Sequence, residues 1–188
     1  MTFRKVLKWP DKSLKKKSVL ASLKDVAIVE DLLDTFRVIG GYGLSAPQIG
    51  FQKRVIVINE LALTGVDGSQ EEKVLVNPEI VNSSELVSFE EACFSIDSTV
   101  LKIERHKKIK VSYTSLDGKK DTLEAEGYHA ACIQHEIDHL DGILMIDRLS
   151  PLKRNMFLKK QKKVKLRKKR LKENLRKEEP RPGFRKKK

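Results

Sequence analysis

The chain carries, at residues 134–140, the run Gln134-His135-Glu136-Ile137-Asp138-His139-Leu140. His135 and His139 lie four positions apart, so on a helix of 3.6 residues per turn both imidazoles face the same side. Two imidazoles in this arrangement can bind one divalent metal ion, and Glu136 beside the first can move protons for a metal-bound water. The run therefore predicts a metal-binding helix, and a catalytic metal there would need a third protein ligand.

The candidates for that third ligand are the other cysteines and histidines, which are Cys93, His106, His129 and Cys132. A metal midway between the two motif histidines would lie about 7–8 Å farther along the helix axis than the Cys132 Cα atom. A Zn–S bond spans only about 2.3 Å, so we interpret Cys132 as a buried packing residue. His129 is interpreted as a surface or packing residue and His106 as a solvated strand end. Cys93 remains, although taken alone it would be read as a core cysteine.

Two further segments accompany the helix motif in a fixed order along the chain. The first reads Gly41-Tyr42-Gly43-Leu44-Ser45-Ala46-Pro47-Gln48, and the second reads Glu91-Ala92-Cys93-Phe94-Ser95. With the run at 134–140 they resemble the peptide deformylase family, whose motifs are G-x-G-L-A-A-P-Q, E-G-C-L-S and Q-H-E-x-D-H-L. The resemblance covers roughly residues 3–155 and includes an N-terminal segment of the family's type, Val6-Leu7-Lys8-Trp9-Pro10-Asp11.

The second motif departs most from the family pattern. Ala92 replaces a glycine, Phe94 replaces a leucine, and Asp97 stands where the family often has a proline. If the glycine needs a positive φ, Ala92 would strain the backbone. These changes bear on substrate fit more than on metal binding, because Cys93 is intact. A catalytically altered, deformylase-like ribosome-binding protein therefore stays open as an alternative.

The resemblance implies a metal-dependent hydrolase that removes the N-formyl group from the initiator methionine of nascent polypeptides and releases formate. Cys93, His135 and His139 would bind one divalent metal, with Fe(II) as the native ion and Zn, Ni or Co also possible. Glu136 would act as general base and then as general acid for a metal-bound water. The Gln48 side-chain amide and, by the resemblance, the Phe94 backbone N–H would stabilise the oxyanion.

Substrate contacts are carried over from the same motifs. The resemblance places the residues that flank the substrate backbone at Tyr42, Gly43 and Glu91, and those that line the methionine pocket at Tyr128, Ala131 and Cys132. It also places Arg105 near the substrate. Gln134 and Asp138 are candidate hydrogen-bond partners of the metal ligands, although Asp138 could equally be a solvated helix charge.

A thermolysin-like zinc hydrolase is the competing enzyme class. Such a protein takes a downstream glutamate as its third ligand, and the acidic residues after the motif are Asp141, Asp147, Glu173, Glu178 and Glu179. All three of these glutamates lie in a basic C-terminal tail. The sequence therefore favours Cys93 as the third ligand.

The net charge of +13 is concentrated at one end of the chain. Residues 153–188 hold 19 Lys and Arg against 3 Glu, a net charge of +16, whereas residues 1–152 have a net charge of −3. No apolar run is long enough for a transmembrane helix, and no signal segment precedes the first motif. Two cysteines in different contexts do not suggest a disulfide framework. We therefore expect a cytoplasmic protein with no membrane partner, and we also expect it to be a monomer.

Hydrophobic periodicity predicts an α+β fold with antiparallel or mixed sheets around a central metal-binding helix. A helix is expected over residues 25–39, a loop over 60–72, and the metal helix over 128–140. Strands are expected at 55–58, 73–78, 85–89, 101–104, 109–114, 122–126 and 143–146. Residues 1–152 are predicted to form the deformylase-like catalytic domain, and residues 153–188 a basic helical extension with a disordered end.

The extension itself suggests a partner. Residues 151–179 contain no glycine and no proline beyond Pro151, and their apolar stripe is thin, which predicts a long helix of about 28 residues, or about 40 Å. A projecting helix of nearly one charge sign is typical of a surface that binds polyanions. Because nascent chains emerge from an exit lined with rRNA, we expect this tail to bind the ribosome.

Overall fold

The computed structural model describes residues 2–60 and 71–178, and they divide into two compact units. The first unit is Met1–Arg148 and the second is Leu149–Lys188. The predicted boundary at residue 152 lies slightly beyond this division. The first unit contains the helices α1 (Val26–Ile39) and α2 (Tyr128–Leu140). Short 3-10 turns occur at Lys12–Lys15, Leu23–Asp25, Ala46–Ile49 and Met145–Arg148.

In the described residues of the first unit, seven strands form two sheets. They are β1 (Gly43–Ser45), β2 (Val55–Asn59), β3 (Glu72–Ser83), β4 (Leu86–Cys93), β5 (Ile96–His106), β6 (Lys108–Thr114) and β7 (Lys120–Glu126). Five of them form a sheet in the order β1-β2-β3-β6-β7, while β4 and β5 form a separate two-stranded sheet. All of these strand pairs are antiparallel, so of the two predicted arrangements the antiparallel one is observed.

The buried strand β2 explains how the core is layered. Its residues Val55, Ile56, Val57 and Ile58 are all fully buried, although successive side chains of a strand point to opposite faces. Ile56 and Ile58 belong to one apolar cluster with residues of α2, whereas Val55 and Val57 belong to a second cluster with residues of α1. The five-stranded sheet is thus covered on both faces at β2, which accounts for an unbroken apolar run.

The predicted strand at 143–146 is wrong. Gly142 has φ 71° and turns the chain, and residues Met145–Arg148 form a 3-10 turn. The Asp147 carboxylate accepts a hydrogen bond from the Leu144 backbone N–H at 2.9 Å, which stabilises the turn. Leu144, Met145 and Ile146 are buried all the same. A short apolar run reports burial but does not distinguish a strand from a turn.

The other predicted elements agree with the structure in kind, and several strands are longer than predicted. Strand β5 extends the predicted segment 101–104 in both directions, and β3 reaches Ser83. Of the predicted loop at 60–72, residues 61–70 lie outside the described part of the chain. Asp117 and Gly118 lie in the turn between β6 and β7, where Gly118 has φ 83°.

The described residues of the second unit form one helix, α3 (Pro151–Glu178), of 28 residues. Proline at its first position is compatible with a helix start, because the N–H that it lacks would have no intrahelical partner there. Several of its apolar side chains are exposed, among them Leu152, Met156 and Leu171. Within residues 2–60 and 71–178, no helix combines the length and the apolar character needed to cross a membrane.

Candidate active site

Helix α2 presents two different faces to its surroundings. Ala130, Ile133, Ile137 and Leu140 recur at helical spacing and pack into the core against the five-stranded sheet. The helix begins after Gly127, with φ 64°, and ends before Gly142. A Cβ atom at Gly142 would lie 2.5 Å from the Lys15 carbonyl oxygen, so only glycine fits at this end of the helix. Core packing thus fixes the direction in which the opposite, histidine-bearing face points.

Three potential ligand atoms converge beside that face. One atom each of Cys93, His135 and His139 lies within 4.8 Å of the other two. The Cys93 Sγ atom is 3.3 Å from His139 Nε2. Cys93 comes from the end of β4, where a register shift between Glu91 and Cys93 interrupts the pairing with β5. Such an irregularity redirects a side chain out of the regular alternation.

The chemistry of these donors fits a divalent transition metal. Burial would raise the pKa of the Cys93 thiol, but the neighbouring His139 and His135 lower it well below its usual range, as a thiolate ligand requires. His139 faces Cys93 through its Nε2 atom, and in the described residues one carboxylate oxygen of Glu136 has no hydrogen-bond partner. A thiolate and two imidazoles form a recognised set for zinc, iron, cobalt or nickel.

A buried chain of ion pairs supports His135 from behind. The Glu91 carboxylate accepts a hydrogen bond from His135 Nδ1 at 2.9 Å, which leaves the other ring nitrogen to face Cys93. Arg105 donates two hydrogen bonds to Glu91, at 2.7 and 3.0 Å, and one to Asp138 at 2.5 Å. Arg148 pairs with Asp138. Burial would raise the pKa of Glu91, but hydrogen bonds from His135 and Arg105 lower it to about 2.

The structure corrects three interpretations from the sequence, those of Arg105, Gln134 and His106, and decides between two for Asp138. Arg105 does not line the cleft: it is 1% exposed and its guanidinium is occupied by Glu91 and Asp138. Asp138 is a buried ion-pair partner rather than a solvated helix charge. Gln134 does not contact the metal ligands. Its side chain bonds the backbone of His106 instead, which makes His106 a half-buried residue of the β5 end rather than a solvated one.

Gln48 is held in one orientation by its own turn. Its side-chain oxygen accepts hydrogen bonds from the Ser45 N–H at 2.9 Å and from the Ser45 hydroxyl at 2.8 Å. The amide nitrogen must therefore point the other way, and it donates to Ser95 Oγ at 3.3 Å and lies 3.8 Å from Cys93 Sγ. Ser45 and Ser95 were not among the predicted site residues, although both stand inside the quoted motifs. Arg148 was also missed, and no sequence pattern marks it.

A cleft of about 640 Å³ opens above the three potential ligands. Nearly all of the predicted site residues line it, namely Tyr42, Gly43, Gln48, Glu91, Cys93, Phe94, Tyr128, Ala131, Cys132, His135 and Glu136. Cys132 is half-buried on its wall beside Gly43 and is not one of the three potential ligands. Burial raises the pKa of Glu136, which brings this carboxylate nearer to the range of a proton acceptor and donor.

The substituted second motif is accommodated without backbone strain. Asn77 is the one non-glycine residue with positive φ in the described part of the chain, so Ala92 does not occupy that region. The Phe94 ring lies over Gly41, where an added Cβ atom would be 2.6 Å from the ring. The larger side chain at 94 is therefore matched by a glycine on the facing wall.

Comparison with known proteins agrees with this architecture. The family profile described as polypeptide deformylase matches residues 3–155. A peptide deformylase from Desulfotalea psychrophila is 39% identical over 166 residues, covering 87% of this chain and 97% of that protein.

Solved structures are similar as well. A crystal structure of a peptide deformylase from Legionella pneumophila has a TM-score of 0.77 and 36% identity, and covers 95% of this chain and 100% of that one. A Met-Ala-Ser-bound peptide deformylase from Acinetobacter baumannii has a TM-score of 0.69 and 31% identity, covering 79% of this chain and 99% of that one. With its three motifs brought together around one cleft, the chain belongs to the polypeptide deformylase family.

Proposed function

We propose that this protein is a metal-dependent hydrolase that removes the N-formyl group from the initiator methionine of nascent polypeptides. The observation that carries the proposal is the convergence of Cys93, His135 and His139 within 4.8 Å at the base of a cleft that Glu136 also lines. These three residues would hold one divalent ion, with Fe(II) as our choice of native metal and Zn, Ni or Co as possible replacements. A metal bound there would polarise the formyl carbonyl and lower the pKa of a coordinated water.

Glu136 would handle the protons of the reaction. It accepts a proton as the water oxygen attacks the formyl carbon, and returns a proton to the amine as the C–N bond breaks. Formate and a free N-terminus are the products. The carboxylate is buried, and one of its oxygens has no hydrogen-bond partner in the described residues, so it is available for this role.

Gln48 and Phe94 would stabilise the negative charge that develops on the formyl oxygen. The Gln48 amide nitrogen is oriented toward Cys93 by the two hydrogen bonds from Ser45. The Phe94 backbone N–H immediately follows the Cys93 ligand and is independent of the leucine-to-phenylalanine change. Donors that are fixed before the reaction stabilise an oxyanion without reorganisation.

The cleft walls suggest how a peptide would bind. Tyr42, Gly43 and Glu91 would flank its backbone, and Tyr128, Ala131 and Cys132 would hold the methionine side chain. The related A. baumannii enzyme was solved with bound Met-Ala-Ser, the peptide that deformylation of formyl-Met-Ala-Ser would leave. We therefore expect faster turnover of formyl-Met than of formyl-Gly peptides. Equal rates on both would argue against this pocket.

The decisive experiment is formate release from formyl-Met-Ala-Ser by Fe(II) protein purified without oxygen. Glu136→Ala should keep its metal and lose at least about a hundredfold in turnover, given the usual contribution of a general base. Glu30→Ala, an exposed glutamate on α1, is the matched control and should be unaffected. Near-normal turnover by Glu136→Ala would remove this residue from its role.

The same assay tests the alternative, a catalytically altered deformylase-like ribosome-binding protein. A wild-type protein that binds metal and ribosomes but releases no formate would favour it. The convergence of ligands, acid–base residue and amide donor in one cleft argues for the active enzyme.

We further propose that helix α3 binds the ribosome, while the protein works as a cytoplasmic monomer. Residues 153–188 have a net charge of +16 and few apolar side chains, which suits rRNA phosphates better than a lipid surface. No aromatic residue lies between Lys159 and Pro180, so stacking on bases is not expected. Binding should fall steeply with salt.

Deleting residues 159–188 should weaken co-sedimentation with ribosomes and leave formate release from a short peptide nearly unchanged. A second variant, with glutamine in place of each Lys and Arg from 159 to 170, keeps the helix length and helix propensity but loses the charge. It should behave like the truncation. Ribosome binding as tight as that of the full chain at low salt would place the docking role elsewhere.

A further inference from the structure

An extended N-terminal segment runs along both proposed oxyanion donors. The Leu7 backbone N–H donates to the Gln48 carbonyl oxygen at 2.7 Å, and the Trp9 N–H donates to the Ser95 carbonyl oxygen at 2.8 Å. These two bonds tie the turn that carries Gln48 and the loop that carries Phe94 to one stretch of chain. The segment therefore fixes the two donors relative to each other.

Lys8 lies between these two bonds and adds a side-chain contact. Its ammonium donates to the Phe94 carbonyl oxygen at 2.5 Å and pairs with the Asp97 carboxylate at 2.9 Å. The Phe94 carbonyl and the Phe94 N–H belong to successive peptide groups joined at one Cα atom. Holding the carbonyl therefore restricts rotation of the backbone that aims the N–H.

The Phe94 side chain is held from the opposite wall. Its ring fills the space above Gly41, where a Cβ atom would lie 2.6 Å from the ring. Ring and carbonyl are thus restrained by different parts of the chain, the first by the turn at Gly41 and the second by Lys8. Of these restraints, the one from Lys8 depends on a single exposed side chain and can be removed without opening the core.

We propose that Lys8 is a positioning residue for deformylation, acting through Phe94. This inference rests on the proposed function. By fixing the Phe94 carbonyl, Lys8 keeps the adjacent N–H aimed at the place where negative charge develops on the formyl oxygen. That charge exists in the transition state and not in the bound substrate, so loss of Lys8 should lower kcat and leave KM nearly unchanged.

The test compares Lys8→Met, Lys8→Arg and Lys5→Met in the full-length Fe(II) enzyme with formyl-Met-Ala-Ser. Methionine keeps much of the apolar stem but removes the donor and its charge, and we expect a loss of about three- to tenfold in kcat with KM within about twofold. Arginine can still donate to the carbonyl and should restore kcat to within about twofold of wild type. Lys5 is also exposed and nearby, so Lys5→Met controls for the loss of one positive charge.

Metal content and the thermal midpoint are measured for each variant, so that a folding defect is recognised. If Lys8→Met is poorly folded, Asp97→Asn provides a second test, because it weakens the ion pair that holds the Lys8 ammonium. This variant should lower kcat by less than the roughly three- to tenfold expected for Lys8→Met and leave KM unchanged. The inference is overturned by wild-type kcat in well-folded Lys8→Met, by an equal loss in Lys5→Met, or by a change confined to KM. A wild-type enzyme that releases no formate contradicts the proposed function itself, which separates the two failures.

Discussion

Replacing Arg105 with methionine would remove the cation at the centre of a buried ion-pair chain. The side chain of Arg105 is 1% exposed, and those of Glu91 and Asp138 are each 7% exposed. The arginine makes three charge-assisted hydrogen bonds to these two carboxylates. Methionine would fill much of the volume of the arginine side chain, but both buried carboxylates would lose its positive charge and its hydrogen bonds.

The expected loss follows from what each carboxylate retains. Removing one partner of a buried ion pair typically costs about 3–5 kcal/mol, because the other charge stays buried. Here Glu91 keeps its bond from His135 and Asp138 keeps Arg148. We therefore expect the lower end, a fall of about 3 kcal/mol in the free energy of unfolding.

Lys102→Met is the matched control on the same pair of strands. Lys102 pairs with Glu90 at 3.9 Å across β4 and β5, but the two side chains are 72% and 62% exposed. An exposed pair of this kind contributes about 0–1 kcal/mol. The two substitutions each remove one cation from β5 and differ chiefly in burial.

Urea unfolding at neutral pH, with a chelator present, measures both variants without a contribution from bound metal. A second readout is metal affinity, which should fall about tenfold or more in Arg105→Met because Glu91 then orients His135 less firmly. A stability loss below about 1 kcal/mol, or one no larger than that of Lys102→Met, would refute the reasoning.

Three further predictions concern single positions. Cys93→Ala should abolish stoichiometric metal in atomic absorption while Cys132→Ala retains it, and full metal retention by Cys93→Ala would contradict the ligand assignment. Gly43→Ala should lower kcat/KM by about tenfold or more, since its Cβ atom would lie 2.9 Å from Cys132 Sγ and 3.0 Å from a Glu136 oxygen. Recovery of part of the loss on adding Cys132→Ala would support this cause, and wild-type activity in the single variant would exclude it. Burial and the hydrogen bond to an aspartate raise the pKa of Tyr113 to about 12. The stability that its neutral form contributes is therefore complete below the ordinary pKa of about 10 and is lost as the pH rises from there through about 12. Absorbance titration should show a late tyrosine component that Tyr113→Phe removes, and its persistence in that variant would contradict the assignment.

The sequence by itself determined the parts of the protein that depend on local periodicity and on motif identity. The spacing of His135 and His139 fixed a shared helix face. The apolar run at 55–58 predicted a buried strand. The shared helix face and the strand follow from geometry within a few residues of the chain. The cleft residues were predicted from the family resemblance that the three ordered motifs carry.

Only the tertiary structure decided how distant segments restrain the site. The sequence placed Arg105 near a substrate, but the fold buries it between carboxylates from β4 and α2, and it adds Arg148 as a second cation. The contact of Lys8 with the Phe94 carbonyl oxygen also became visible only in the fold, because the two residues lie 86 positions apart in the chain. The short apolar run at 143–146 indicated burial but did not indicate the 3-10 turn that the chain forms there. Such contacts depend on which elements pack together, and local sequence patterns do not contain that information.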